Sequence, residues 1–97
     1  MPYVYILESE KTGRYYIGCS HDVEERLKKH NMGMVEATRK FRPFQLKLKQ
    51  EFQNLTEARQ IEVRLKKLKR KDYIRKAIEN QNIQFWATSS SGRATDS

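Results

Sequence analysis

Two short runs of aromatic and branched residues, Tyr3-Val-Tyr-Ile-Leu7 and Arg14-Tyr-Tyr-Ile-Gly18, are joined by the polar, glycine-closed segment Ser9-Glu-Lys-Thr-Gly13. Runs of this kind suit half-buried strands and such a segment suits a turn, so the pair reads as a β-hairpin. Directly afterwards the apolar spacing changes from two to four, with Val23 and Leu27 set among charges as on an amphipathic helix. Ser20 or Asp22 stands where an N-cap would. Asn31-Met-Gly33 supplies a stop, because Gly33 is free to take the left-handed conformation that ends helices. The first third of the chain is thereby committed to a strand pair followed by a helix.

The remainder extends that plan. Residues 34 to 42 read as a loop closed by Arg42-Pro43, and Phe44 to Phe52 then alternates apolar and polar. Phe44, Leu46 and Leu48 are expected on one face of a strand, with Gln45, Lys47 and Lys49 on the other. This strand should join the hairpin as a third, antiparallel member, with one sheet face covered by helices. Thr56 is the expected N-cap of a second helix, in which Glu57 suits the dipole of the first turn and Ala58, Ile61, Leu65 and Leu68 form one apolar stripe. Glu62 falls at the edge of that stripe. Lys71-Asp72-Tyr73 reads as a break and a new cap, opening a third helix through Ile74, Ala77 and Ile78. The expected domain is residues 1–83, followed by a tail over 84–97 whose polar ATSSSGRATDS segment predicts disorder. The fold class is α/β (α+β), a three-stranded antiparallel sheet flanked by helices in the order β-β-α-β-α-α.

A chain of 97 residues forms one small domain. Mean hydropathy is −0.91, and no apolar run approaches the ~18 residues of a membrane span, so no membrane partner is expected. The N-terminus lacks the pattern of a secretory signal, and the lone Cys19 allows no internal disulfide, which together predict a reducing, cytoplasmic setting. Charge says more. Twenty Lys and Arg against twelve Asp and Glu leave +8, which suggests an anionic partner, nucleic acid first. A merely well-solvated basic surface is the ordinary alternative. Two segments could hold such a partner: Arg39, Lys40 and Arg42 around Phe41, and the run Arg64 to Lys71 with Lys66, Lys69 and Arg70. Spread over a helix face, the second run neutralises phosphates without reading bases.

Arg26 and His30 lie four apart and project from one side of their helix, so two tyrosines, an arginine and a histidine could converge. Each also has an ordinary reading. Tyr5 and Tyr16 could simply pack, and they share a face only if the hairpin register allows it. Arg26 could pair with Asp22 or Glu25, His30 could sit at the helix C-terminus favoured by the dipole, and Glu62 could pair with Lys66 at i,i+4.

The arrangement resembles the GIY-YIG nuclease family. Tyr3-Val-Tyr5 stands at the first motif, with Tyr3 where the family name has glycine. Tyr16-Ile-Gly18 matches the second motif, with ten residues between Tyr5 and Tyr16, and Arg26-x-x-x-His30 and Glu62 follow at the family's distances. The resemblance implies metal-dependent hydrolysis of phosphodiester bonds. In it Tyr5 is the general base, Tyr16 a hydrogen-bonding partner of phosphate or water, and Arg26 the phosphate clamp. His30 is a proton shuttle or phosphate ligand, and Glu62 is the ligand of a single Mg²⁺ or Mn²⁺. A tyrosine starts with a pKa of about 10, so service as a base requires positive charge nearby, which Arg26 is expected to supply. Asn80 and Asn82 are loose counterparts of the family's C-terminal asparagine. DNA, ahead of RNA, is the expected substrate, and because nothing in the chain is spare for long base-specific readout, structure-directed or weak sequence selectivity is expected. Some relatives act only inside larger assemblies, which leaves room for a protein partner, and the oligomeric state is not readable. Two alternatives stay open: the same fold as a basic nucleic-acid-binding module with little turnover, and an RNA-binding accessory protein.

Overall fold

The computed structural model describes residues 1–68 and 70–83. The expected disordered tail and the placement of Lys69 lie outside the described residues. The elements run β1 (Tyr3–Ser9), β2 (Tyr15–Ser20), α1 (Val23–Asn31), β3 (Phe44–Glu51), α2 (Leu55–Leu68) and α3 (Lys71–Asn80), the order β-β-α-β-α-α expected. β1 is the central strand of an antiparallel sheet, order β2-β1-β3. Its burial follows from its composition, because Val4, Tyr5, Ile6 and Leu7 are all inaccessible and only a strand covered on both faces can hide four consecutive side chains.

Helices therefore cover both faces, not the single face that alternation suggested. Val4, Ile6, Ile17 and Leu48 pack under α2 and α3 with Ala58, Leu65, Ile74, Ala77 and Ile83. Tyr5, Leu7 and Phe44 pack under α1 with Val23, joined by the half-buried Tyr16, Leu27 and Leu46. Leu48 thus lies opposite Phe44 and Leu46. The cause is a bulge in the pairing with β1: Ile6 faces Leu48 while the next residue, Leu7, faces Leu46, so Lys47 is the extra residue. One inserted residue inverts the face of everything after it. β3 therefore feeds both cores, Phe44 and Leu46 one, Leu48 the other.

Local chemistry sets the ends of the helices. Asp22 caps α1, its Oδ1 accepting from the Glu25 amide at 3.1 Å. Gly33, φ +78°, closes the far end in the left-handed conformation. Asn54, not Thr56, caps α2: its Oδ1 accepts from Glu57 N at 2.8 Å, while Glu57 Oε1 accepts from Gln53 N. Leu68, expected in the α2 stripe, is exposed at the last residue of the helix. Arg70, rather than Lys71 or Asp72, is the capping residue of α3. Residues 39–41 form a single 3₁₀ turn inside the stretch expected to be all loop. That turn is tied down from two sides. Buried Ser9 accepts from the amides of Lys11 and Thr12 and donates to the Phe41 carbonyl, and Asn31 binds both the N–H and the C=O of Phe44. The chain between α1 and β3 is thus held against the α1 face of the sheet.

Candidate active site

The hairpin register answers the question left open by pattern. Tyr5 lies opposite Gly18 and Leu7 opposite Tyr16, so Tyr5 and Tyr16 are diagonal neighbours on the α1 face. Gly18 is what lets the phenol of Tyr5 cross β2. A Cβ there would overlap the Tyr5 hydroxyl and ring. The hydroxyl reaches His30 Nε2 at 3.2 Å, and His30 Nδ1 lies 2.8 Å from Thr38 Oγ1. Tyr16 and Phe44 wall the imidazole edge-on, with ring centroids at 4.9 and 6.0 Å.

His30 is fully buried. Burial first and the neighbouring Arg26 second hold its pKa below the usual value, so the ring is neutral near pH 7. The helix dipole would favour the opposite charge state and is overridden. Arg26 is only half exposed, and neither Asp22 nor Glu25 pairs with it among the described residues. Its Nε is buried and has no hydrogen-bond partner there. The guanidinium nonetheless acts on Tyr5, favouring phenolate, as the sequence suggested. It does not prevail: burial outweighs it, and the phenol pKa is raised, with Tyr16 and Glu62 adding to the rise.

Glu62 comes from α2, on the opposite face of the sheet, yet its charge reaches both the Tyr5 phenol and the Cys19 thiol. Its side chain is 17% exposed and pairs with Lys66 Nζ at 3.0 Å, so the i,i+4 ion pair is present. That Lys66 ammonium also lies 5.7 Å from the centroid of the Tyr16 ring. The donors at hand fit a hard divalent ion. One carboxylate suffices for an ion that keeps most of its waters, and among the described residues no three His, Cys, Asp or Glu side chains form a cage. The nearby Cys19 thiol is pushed up by burial and by Glu62, which keeps it protonated and a poor ligand.

The proposed nucleic-acid ligands fall in two places. Arg39, Lys40 and Arg42 are exposed on and after the 3₁₀ turn, with Arg42 folded over Gly33. Arg70 is exposed but paired with Asp72 at 2.9 Å. Asn80 and Asn82 lie away from the site, at the end of α3, where Ile83 N donates to Gln50 of β3. Thr38 was not singled out for chemistry by sequence. It opens the basic segment that runs to Arg42, eight residues from His30 along the chain, and no periodicity links the two.

No curated protein matches the chain. The solution structure of the UPF0213 protein BH0048 from Bacillus halodurans is similar at 31% identity, covering 98% of this chain and 100% of that one with a TM-score of 0.50. The model of the GIY-YIG catalytic domain matches residues 1–77. With that model spanning most of the sequence, the chain belongs to the GIY-YIG nuclease family.

Proposed function

We propose that the chain is a divalent-metal-dependent endonuclease that hydrolyses phosphodiester bonds, in DNA ahead of RNA, with structure-directed or weak sequence selectivity. The observation that carries this reading is Arg26, whose buried Nε lacks a partner among the described residues beside a tyrosine and a histidine that are themselves hydrogen-bonded. An unmet guanidinium donor in a desolvated position is costly without an anion, and a phosphate presents two oxygens to such a fork.

In this reading Arg26 holds the non-bridging oxygens of the scissile phosphate, and Tyr16 hydrogen-bonds phosphate or water. Tyr5 takes the proton of the attacking water. Its raised pKa keeps it a neutral phenol in the resting protein, so it needs an acceptor for its own proton, and His30 Nε2 stands at 3.2 Å. Glu62 would hold one Mg²⁺ or Mn²⁺, which supplies charge neutralisation at the phosphoryl and leaving oxygens. Arg39, Lys40, Arg42, Lys66, Lys69 and Arg70 are the groups assigned to the flanking backbone.

The test is cleavage of labelled duplex, single-stranded, flap and branched DNA, and RNA, with Mg²⁺, Mn²⁺ or chelator, beside Arg26→Ala and Glu62→Ala. Metal-dependent cutting lost in both variants is the expected result. The Lys66 ammonium on Glu62 favours one other reading, a binding module in which that carboxylate is merely neutralised. Salt-sensitive binding without cutting, unchanged in both variants, would establish it in place of the nuclease.

A further inference from the structure

We propose that Thr38 is a positioning residue for this site: it holds His30 in the tautomer protonated on Nδ1, which leaves Nε2 bare to receive the proton of Tyr5. The nuclease reading is needed only for the use to which that proton transfer is put.

The assignment follows from counting donors. A neutral imidazole carries one N–H, so the chain Tyr5, His30, Thr38 can run in either of two directions. In one, Thr38 donates to Nδ1 and Nε2–H donates to the Tyr5 oxygen. The guanidinium of Arg26, which can only donate, also acts on that oxygen. The Tyr5 hydroxyl hydrogen, on a side chain 1% exposed, would then have no acceptor among the described residues. In the other direction every side-chain donor of Tyr5, His30 and Thr38 is used. Arg26 faces the Tyr5 oxygen, Tyr5 O–H donates to Nε2 at 3.2 Å, Nδ1–H donates to Thr38 Oγ1 at 2.8 Å, and Thr38 O–H donates to the Val35 carbonyl at 3.4 Å. Buried polar groups settle into the arrangement that leaves fewest of them unmet.

Thr38 is placed for this task by the fold. Its amide also donates to Val35 O and its carbonyl accepts from Phe41 N, so both its backbone groups are fixed, and its side chain is 2% exposed. The groups facing His30 are Arg26 from α1, Tyr5 from β1, Tyr16 from β2, Phe44 from β3 and Thr38 itself. Only Arg26 among them is charged, and it opposes an imidazolium until a phosphate occupies the guanidinium.

The resulting transfer balances. The Tyr5 O–H bond breaks as the Nε2–H bond forms, while the phenolic oxygen takes a proton from the attacking water and the water oxygen bonds to phosphorus. The bond from phosphorus to the departing oxygen breaks, that oxygen takes a proton from solvent, and His30 returns its proton through Tyr5 to water.

The experiment is long-range ¹H–¹⁵N NMR of the histidine side chains in the ¹⁵N-labelled full chain at slightly alkaline pH, with exposed His21 as internal reference. The expected wild-type pattern is a protonated Nδ1 and a bare Nε2 at His30. Thr38→Val, which keeps the shape and removes the hydroxyl, is expected to move the proton to Nε2 or to mix the tautomers, and Thr38→Ser to restore the wild-type pattern. On a cleavable substrate Thr38→Val should lower kcat roughly 10–100-fold with KM unchanged, the usual loss when the outer partner of a functional histidine is removed. A wild-type His30 protonated on Nε2 overturns the proposal, and this holds even if Thr38→Val fails to fold. So does a folded Thr38→Val protein with the wild-type tautomer. A wild type with the expected tautomer that cuts no substrate would refute the nuclease reading and leave the Thr38 assignment standing.

Discussion

The two faces of the sheet are built from different materials. Under α2 and α3 lies a core of aliphatic side chains and alanine, and among the described residues none of the buried polar side chains lies there. Under α1 the core of Tyr5, Leu7, Val23 and Phe44 is interleaved with His30 and Thr38, both as inaccessible as the aliphatics, and Ser9 lies at its margin. The aliphatic face gains stability from area and tolerates small shifts. The α1 face gains less from area and depends on geometry, since each buried polar atom must find a partner. A small domain has few residues with which to do both, and this one divides the tasks across a single sheet.

The largest effect should come from Gly18→Ala, where the division is thinnest. The methyl would occupy the space of the Tyr5 hydroxyl and ring, so Tyr5 would lose its place beside His30. A displacement of about 1 Å at a reacting group can cost about a hundredfold in rate, and cleavage should fall at least that far. Circular dichroism should still show a folded protein, because the aliphatic core is untouched. Unchanged cleavage would mean that the Tyr5 position does not matter to the chemistry.

Leu65→Ala should do the reverse. Leu65 is fully buried between α2 and the sheet, and truncation of such a residue costs about 2–5 kcal/mol. In a domain of this size that lowers Tm by roughly 10 °C or more. Cleavage measured well below the new Tm should stay close to wild type. A fall in cleavage as steep as that of Gly18→Ala would show that the two faces are coupled through α2, which also carries Glu62.

The same contrast decides what could be read from the chain before its structure. The hairpin, the three helices and the convergence of Tyr5, Tyr16, Arg26 and His30 rest on local period and on motif spacing, which survive in one dimension. The switch of Leu48 to the aliphatic face does not. Phe44, Leu46 and Leu48 alternate without interruption, and no glycine or proline marks the bulge at Lys47, which exists only relative to β1. The partner of His30 was equally hidden, because Thr38 meets it through an irregular turn. Asn54 took the cap from Thr56 for a more local reason: a helix start two residues earlier brings the amide oxygen onto Glu57 N, and sequence spacing does not resolve helix ends to one or two residues.

Acid should sharpen the comparison at moderate size. His30 has a folded pKa depressed below the unfolded value of about 6.5, so the unfolded chain binds more protons as pH falls through that value. Stability is therefore full above about pH 6.5 and declines below it until the folded pKa is passed. Tyr5, raised in the folded state, adds a loss above about pH 10. Thermal melts between pH 8 and pH 5 should show the acid slope, and His30→Gln should flatten it. An unchanged slope in that variant would place the acid sensitivity elsewhere.

The smallest effect should come from the outer surface of the α1 face, where charge is plentiful but wet. Lys49 Nζ meets Glu24 Oε2 at 2.8 Å and lies 5.2 Å from the centroid of the Tyr3 ring. The Lys49 partner lowers the Glu24 pKa and Glu24 raises that of Lys49, yet both groups stand in solvent, where water and salt screen the attraction and ordering two long side chains consumes most of the gain. Lys49→Ala should therefore leave Tm within the error of the melt at physiological salt. Nucleic-acid binding should also hold, since this pair belongs to neither of the basic segments assigned to phosphate. A clear drop in Tm at low salt that disappears at high salt would show that the pair helps hold α1 against β3, and that the geometry of the α1 face begins at its surface and not at its buried polar chain.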